Sequence, residues 1–252
     1  MDRLIVLAVA SGVVVVFVVA VFGLAILYRN LFGHQIWVRF LTRTGYRRKA
    51  DPAAPIEAQA KAVLAEIFRP EGIVRGPWVR EVDGQTLTYN AWMYGENGAT
   101  VTQESWQLAM PTEVPGQVQI LERRLAQPGF RETLASKALG RDRRWGTLLP
   151  HELRTGDQAF DARFLVLGDR PGSAPPFLQD PAVRHYVAAL PEACLLVAQR
   201  WIELDDPAGA LRRQHVGLTA VTPSQMMERE PAVHDQAAQT LAILSRAVRA
   251  SV

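Results

Sequence analysis

The chain reads as an α+β protein: an antiparallel sheet with flanking helices, preceded by one transmembrane helix. Three observations predict this. An uncharged apolar run, LIVLAVASGVVVVFVVAVFGLAIL, occupies residues 4–27. Segments of period-two alternation follow, divided by Asp83-Gly84 and Asn97-Gly98. Helix-spaced apolar stripes lie before and after those segments. Strands clustered in the middle, with helices outside them, make α+β rather than alternating α/β.

The first element, residues 1–28, is an anchor. Its 24 uncharged residues would reach roughly 36 Å as a helix, against a hydrocarbon core of about 30 Å. A helix satisfies its own backbone polar groups, so lipid tolerates it without a partner. A cleaved signal peptide would have a shorter apolar core ending in small residues, whereas this run ends in Leu27, Tyr28 and Arg29. Beyond the run come Arg29, Arg39, Arg43, Arg47, Arg48 and Lys49 with no acid among them, against Arg3 and Asp2 before it. Cations resist translocation, which predicts an inner-membrane protein with its C-terminal body in the cytoplasm. The single cysteine, Cys194, suits a reducing compartment and excludes an internal disulfide.

Residues 29–55 are predicted to be a basic juxtamembrane segment and linker. If helical, Phe32, Ile36, Trp37, Phe40 and Leu41 share a face, and Gln35, Arg39, Thr42 and Arg43 share another. That pattern suits a helix in the headgroup layer, with Trp37, Arg39, Arg43, Arg47, Arg48 and Lys49 as membrane-surface contacts. The plainer reading of the same cations is topology alone, without lipid specificity. DPAAP at 51–55 forms a stiff hinge.

The soluble α+β domain is predicted over 56–252. Residues 1–50 carry seven Lys+Arg and one Asp, which leaves 21 basic and 24 acidic side chains beyond them. The pI of about 9.3 therefore comes from the flank of the anchor and is no argument for nucleic-acid binding. Ile56, Ala60, Val63, Leu64, Ile67 and Phe68 predict a helix stopped by Pro70 and Gly72. Trp78–Val82 and Leu87–Ala91 alternate on either side of Asp83-Gly84, a hairpin signal because the turn needs positive φ. Trp106, Leu108 and Met110 predict a further strand, Val118 and Ile120 another short one, and the whole reads as a meander with one wet face. Residues 121–154 are irregular or helical and locally basic. Phe160, Ala162, Phe164 and Val166 alternate as a strand, which places Asp161 on its wetter face. Residues 177–190 read as helix and Cys194–Leu204 as strand or hairpin. Val233, Ala237, Leu241, Leu244 and Val248 mark a terminal helix begun by Pro231. Trp78, Trp106 and Trp201 are the tryptophans best placed for core.

The run TGDQAFDARFLVLGD from Thr155, then FLQDPAVRHYVAAL, CLLVAQRWIEL and a terminal helix, resembles a bacterial family of N-terminally membrane-anchored proteins. That family carries an α+β domain of unknown function with a TGDxxFDxxF-type signature. The resemblance implies an anchored α+β domain and no particular activity. The chain departs from it in having one clear membrane segment where some relatives have two.

Chemistry-bearing candidates are few. Asp157 and Asp161 could act as paired carboxylates in a membrane-tethered hydrolase, with His151 or His185 assisting. Thr155-Gly156-Asp157 is equally turn chemistry, in which the aspartate accepts backbone N–H groups. His34, His151, His185, His215 and His234 show no ligand spacing, so no metal is expected. Cys194 sits among apolar neighbours and reads as a buried small hydrophobe. No serine-hydrolase elbow, phosphate loop or dinucleotide fingerprint occurs, and no cofactor is expected. Arg141, Arg143, Arg144 and Trp145 could contact an acidic partner. The function expected is a non-catalytic interaction or scaffold module whose partners are the lipid bilayer and a protein, not nucleic acid.

Overall fold

A computed structural model describes residues 38–48, 73–96, 99–126, 148–192, 194–206 and 223–251, with residues 16, 17, 20, 21, 23 and 24. The helix expected over 56–68 lies outside them. Among the described residues no helix is long and apolar enough to cross a membrane. The six described residues of the predicted span are helical, and its Val16, Phe17, Val21 and Leu24 are the large apolar side chains left exposed.

The body is an antiparallel seven-stranded sheet: β1 (Arg47–Arg48), β2 (Ile73–Val82), β3 (Gln85–Glu96), β4 (Ala99–Glu122), β5 (His151–Leu153), β6 (Phe164–Gly168) and β7 (Cys194–Asp206). Among the described residues it is accompanied by the helices α1 (Gln158–Arg163), α2 (Pro181–Ala188) and α3 (Pro223–Ser251) and by the helical residues 38–43. The fold is thus α+β, as the patterning predicts.

The β2–β3 hairpin turns at Asp83 and Gly84, with φ of 51° and 71°. Two positive φ angles in a two-residue turn match the right-handed twist of the strands it joins. In β3, Leu87, Tyr89 and Ala91 are buried while Thr86 is exposed. β3 and β4 pair to Glu96↔Ala99, so the predicted Asn97-Gly98 turn falls at the right place, though those two residues are not described.

β4 differs from the expectation of two short strands. It is one strand of 24 residues and the axis of the sheet. One edge pairs β3 from Ala99 to Leu108 and then β6 from Val118 to Glu122; the other pairs β7 along most of its length. Pro111, Pro115 and Gly116 divide the alternating pattern into two runs, but they are absorbed as irregularities between Ala109 and Gln117. Proline offers no ladder donor and is tolerated at such places. Gly116 has φ 95°, and a Cβ there would lie 2.8 Å from the Asp169 carboxylate.

Alternation in β4, β6 and β7 feeds two cores. Ile120, Phe164, Val166, Leu195 and Val197 join the main cluster with α3. Leu121, Leu167, Cys194, Leu196 and Ala198 form a second cluster on the opposite face. This end of the sheet is buried on both sides, where a meander with one wet face was expected. Trp78 and Trp106 are buried. Trp201 is half-buried and packs against the second cluster.

The terminal helix buries Val233, Ala237, Leu241, Leu244 and Val248 as its spacing requires. It starts at Pro223, so Pro231 lies inside it rather than at its first turn. Within the segment predicted as a linker, residues 38–43 are helical and β1 pairs β2. Phe40, Leu41 and Tyr46 are 2%, 0% and 2% exposed. Of the apolar face expected to meet lipid, Phe40 and Leu41 are covered by the body itself, and Phe32, Ile36 and Trp37 lie outside the described residues; the core thus includes residues before 56.

Candidate functional site

Thr155–Asp157 form a turn into α1, which takes Phe160–Arg163 where a strand was expected; the strand begins at Phe164, as β6. Gly156, at φ 83°, turns the chain. Asp157 caps α1, accepting from the N–H groups of Ala159 and Phe160, each at 3.1 Å. Its other oxygen accepts from Arg184 Nε at 3.1 Å. The Phe160 N–H, with Arg184 and Ala159, holds its carboxyl below the usual aspartate range against the opposing effect of desolvation. Asp161 is 8% exposed. It accepts from Thr155 N (3.1 Å), Thr155 Oγ1 (2.9 Å) and Gly156 N (3.2 Å). Residues 160–166 misled because Phe160 and Phe164 fit both periods. Phe160 on α1 and Phe164 at the start of β6 stack their rings at 4.7 Å, while on α1 Ala162 is exposed and Asp161 faces inward.

The paired carboxylates therefore close a turn and cap a helix. Among the described residues no hydrogen bond joins them to His151, in β5, or His185, exposed on α2. Nor do three or more His, Cys, Asp or Glu side chains gather there as a metal site would need. Burial pushes the Cys194 thiol well up, so it is not poised as a thiolate.

The basic stretch divides. Arg123 bonds Glu152 (2.6 Å) and the carbonyl of Asp161 (2.7 Å), and Arg154 bonds Glu152 (2.8 Å). Arg124 bridges Glu122 and Glu192. Desolvation raises the Glu122 carboxyl, but hydrogen bonds from Arg163 and Arg124 outweigh it and leave it below its ordinary value. These cations are consumed within the fold. The proposed partner contacts Arg141, Arg143, Arg144 and Trp145 lie outside the described residues.

A polar centre that sequence reasoning missed is built around His234 of α3, which is fully buried. Phe40, Tyr46, Tyr89 and Trp106 surround it with centroids at 5.3, 5.3, 4.6 and 5.7 Å. Trp106 Nε1 donates to its Nδ1 at 3.2 Å, which sets the neutral ring's proton on Nε2. Tyr89 donates to buried Glu104 at 2.5 Å. Arg80 closes the cage: it lies 4.8 Å over the Tyr46 ring and donates to the carbonyls of Thr44 (3.2 Å) and His234 (3.0 Å) and to Asp235 (3.2 Å). Burial pushes the Tyr46 hydroxyl strongly up, with Arg80 opposing it. The signal was present: residues 234, 238, 241 and 245 share a helical stripe beside the predicted one.

This cage locks residues 38–46 to the body. Arg39, Thr42 and Arg43 face outward from the locked segment. Arg47 is exposed and 3.9 Å from Glu81, and Arg48 is half-buried in β1. Trp37 and Lys49 lie outside the described residues. At Arg47 a groove of about 720 Å³ is lined by Thr44, Arg47, Arg80, Glu81 and Asp83, a mixture of both charges.

The fold defines an α+β body on a chain that also carries a long apolar segment. The chain matches no protein-family model and no curated protein. Among solved structures it is similar to the mycobacterial trehalose monomycolate transport factor A, TtfA, at 10% identity and TM-score 0.40, over 85% of this chain and 94% of that one. A likeness at that level carries no functional argument.

Proposed function

We propose that the protein is a single-pass membrane-anchored interaction module that works by binding, without catalytic turnover. The observation that carries this reading is the uncharged apolar run at residues 4–27, whose six described residues are helical. Its exposed side chains, Phe17 at 67% and Leu24 at 65%, belong to a 24-residue run without a charge. Water disfavours such a surface and a bilayer accepts it. The cations after the run place the body on the cytoplasmic side of the inner membrane. The engagement of both aspartates in capping and turn formation supports binding over hydrolysis. The partners are then the bilayer and a protein that meets the body.

The test is extraction and topology together. The full chain is expected to resist alkaline carbonate extraction, and the body to be protected from protease added to intact spheroplasts. Release by carbonate, or digestion from outside, overturns the anchor or its orientation respectively.

A further inference from the structure

We propose that Arg39 and Arg43 seat the folded body on the membrane by binding the phosphates of anionic lipid headgroups. The inference rests on the anchored reading above and names the ligand of its cytoplasmic flank. Phe40 and Leu41, on the same helical segment, are fixed in the core, and Arg80 clamps the segment's end through Thr44. The outward face is therefore held in one orientation.

On that face Arg39 and Arg43 are four residues apart, so their guanidinium groups are neighbours of like charge. Both are exposed, and among the described residues neither has a hydrogen-bonded or ion-paired acid. Most other described arginine side chains have one: Arg47, Arg80, Arg123, Arg124, Arg154 and Arg163 all do. An uncompensated like-charge pair on a rigid surface is a site for a shared anion. Guanidinium forks match phosphate oxygens bidentately.

Chain length supplies the membrane as the source of that anion. Between Leu27 at the end of the apolar run and Arg39 the backbone can stretch at most roughly 40 Å. The two arginines are thus tethered within roughly 40 Å of the bilayer, which keeps anionic headgroups at high local concentration around them. Arg47 is already compensated by Glu81, and Glu81 and Asp83 line the groove beside it, which leaves Arg39 and Arg43 as the cations open to lipid phosphate.

The test uses the full chain in nanodiscs of phosphatidylcholine, alone or with roughly 30 mol % phosphatidylglycerol. A donor fluorophore is placed on a T42C variant, since Thr42 is exposed between the two arginines and the native Cys194 is buried. The acceptor is on lipid headgroups. Energy transfer is expected to rise with phosphatidylglycerol and to fall with added salt. In R39E/R43E the ratio of undocked to docked body should increase by at least about thirtyfold, since loss of each arginine alone is worth about fivefold and the introduced carboxylates add repulsion. R39K/R43K should retain most of the docking. Transfer that ignores phosphatidylglycerol, or that persists unchanged in R39E/R43E, overturns the inference, as would a response only to an added protein. Loss of the wild-type chain from the discs would instead overturn the anchor.

Discussion

At the scale of single residues the TGDxxFD run is a solved problem in hydrogen bonding. Asp161 accepts three donors from Thr155 and Gly156 in a nearly dry site. Replacing it with Asn turns one acceptor into a donor facing the Gly156 N–H. Asp161→Asn should cost about 2 kcal/mol in urea unfolding, the range for a buried donor left unmatched. Asp157 adds a pH dependence whose sign is fixed by its lowered pKa. Its ionised form is favoured in the folded state, so its contribution is complete above the ordinary aspartate range. That contribution is lost as pH falls through the lower folded value. Asp157→Ser can keep the cap while removing the titration. The urea midpoint of D157S should therefore fall less between neutral pH and pH of about 3 than that of the wild type; an equal fall would assign the acid sensitivity elsewhere.

Element by element, legibility followed the strength of local pattern. The hairpin at Asp83-Gly84 was plain because a two-residue turn between alternating strands admits few alternatives. The stripe from Val233 to Val248 was equally plain. The strand over 160–166 formed only from Phe164 onward, as β6; its first half is helix, because four apolar positions cannot separate period two from period 3.6 when Phe160 and Phe164 satisfy both. The length of β4 was hidden by Pro111 and Pro115, which ordinarily end strands and here sit in bulges. Residues 38–43 were legible as an amphipathic helix, but what covers the apolar face is a tertiary fact: Phe40 and Leu41 meet His234 and its neighbours, far along the chain. Leu41→Ala should accordingly destabilise the body by about 3 kcal/mol, the usual penalty for emptying a buried leucine site. A leucine in a linker or headgroup layer would register almost nothing in the same denaturant titration.

The same point decides how the molecule can be divided. Removal of residues 1–28 should give a soluble body with a cooperative thermal transition. Removal of 1–55 takes Phe40, Leu41, Tyr46 and β1 with it, and should lower the melting temperature by well over about 10 °C or yield insoluble chain. Two truncations of equal stability would mean that the membrane-proximal segment is not integral to the fold. The candidate site was legible only in part across the molecule: its cations stand in the sequence, whereas their rigidity depends on Arg80 reaching both Thr44 and Asp235. The long central strand has one more consequence. Its ladder with β7 runs from Leu121↔Cys194 to Glu104↔Asp206, so the main sheet cannot close until nearly the whole chain has left the ribosome. The apolar segment emerges first and would engage the translocon long before that. On the anchored reading proposed above, the body would mature as a tethered nascent chain, held at the bilayer while its distant strands are still being made.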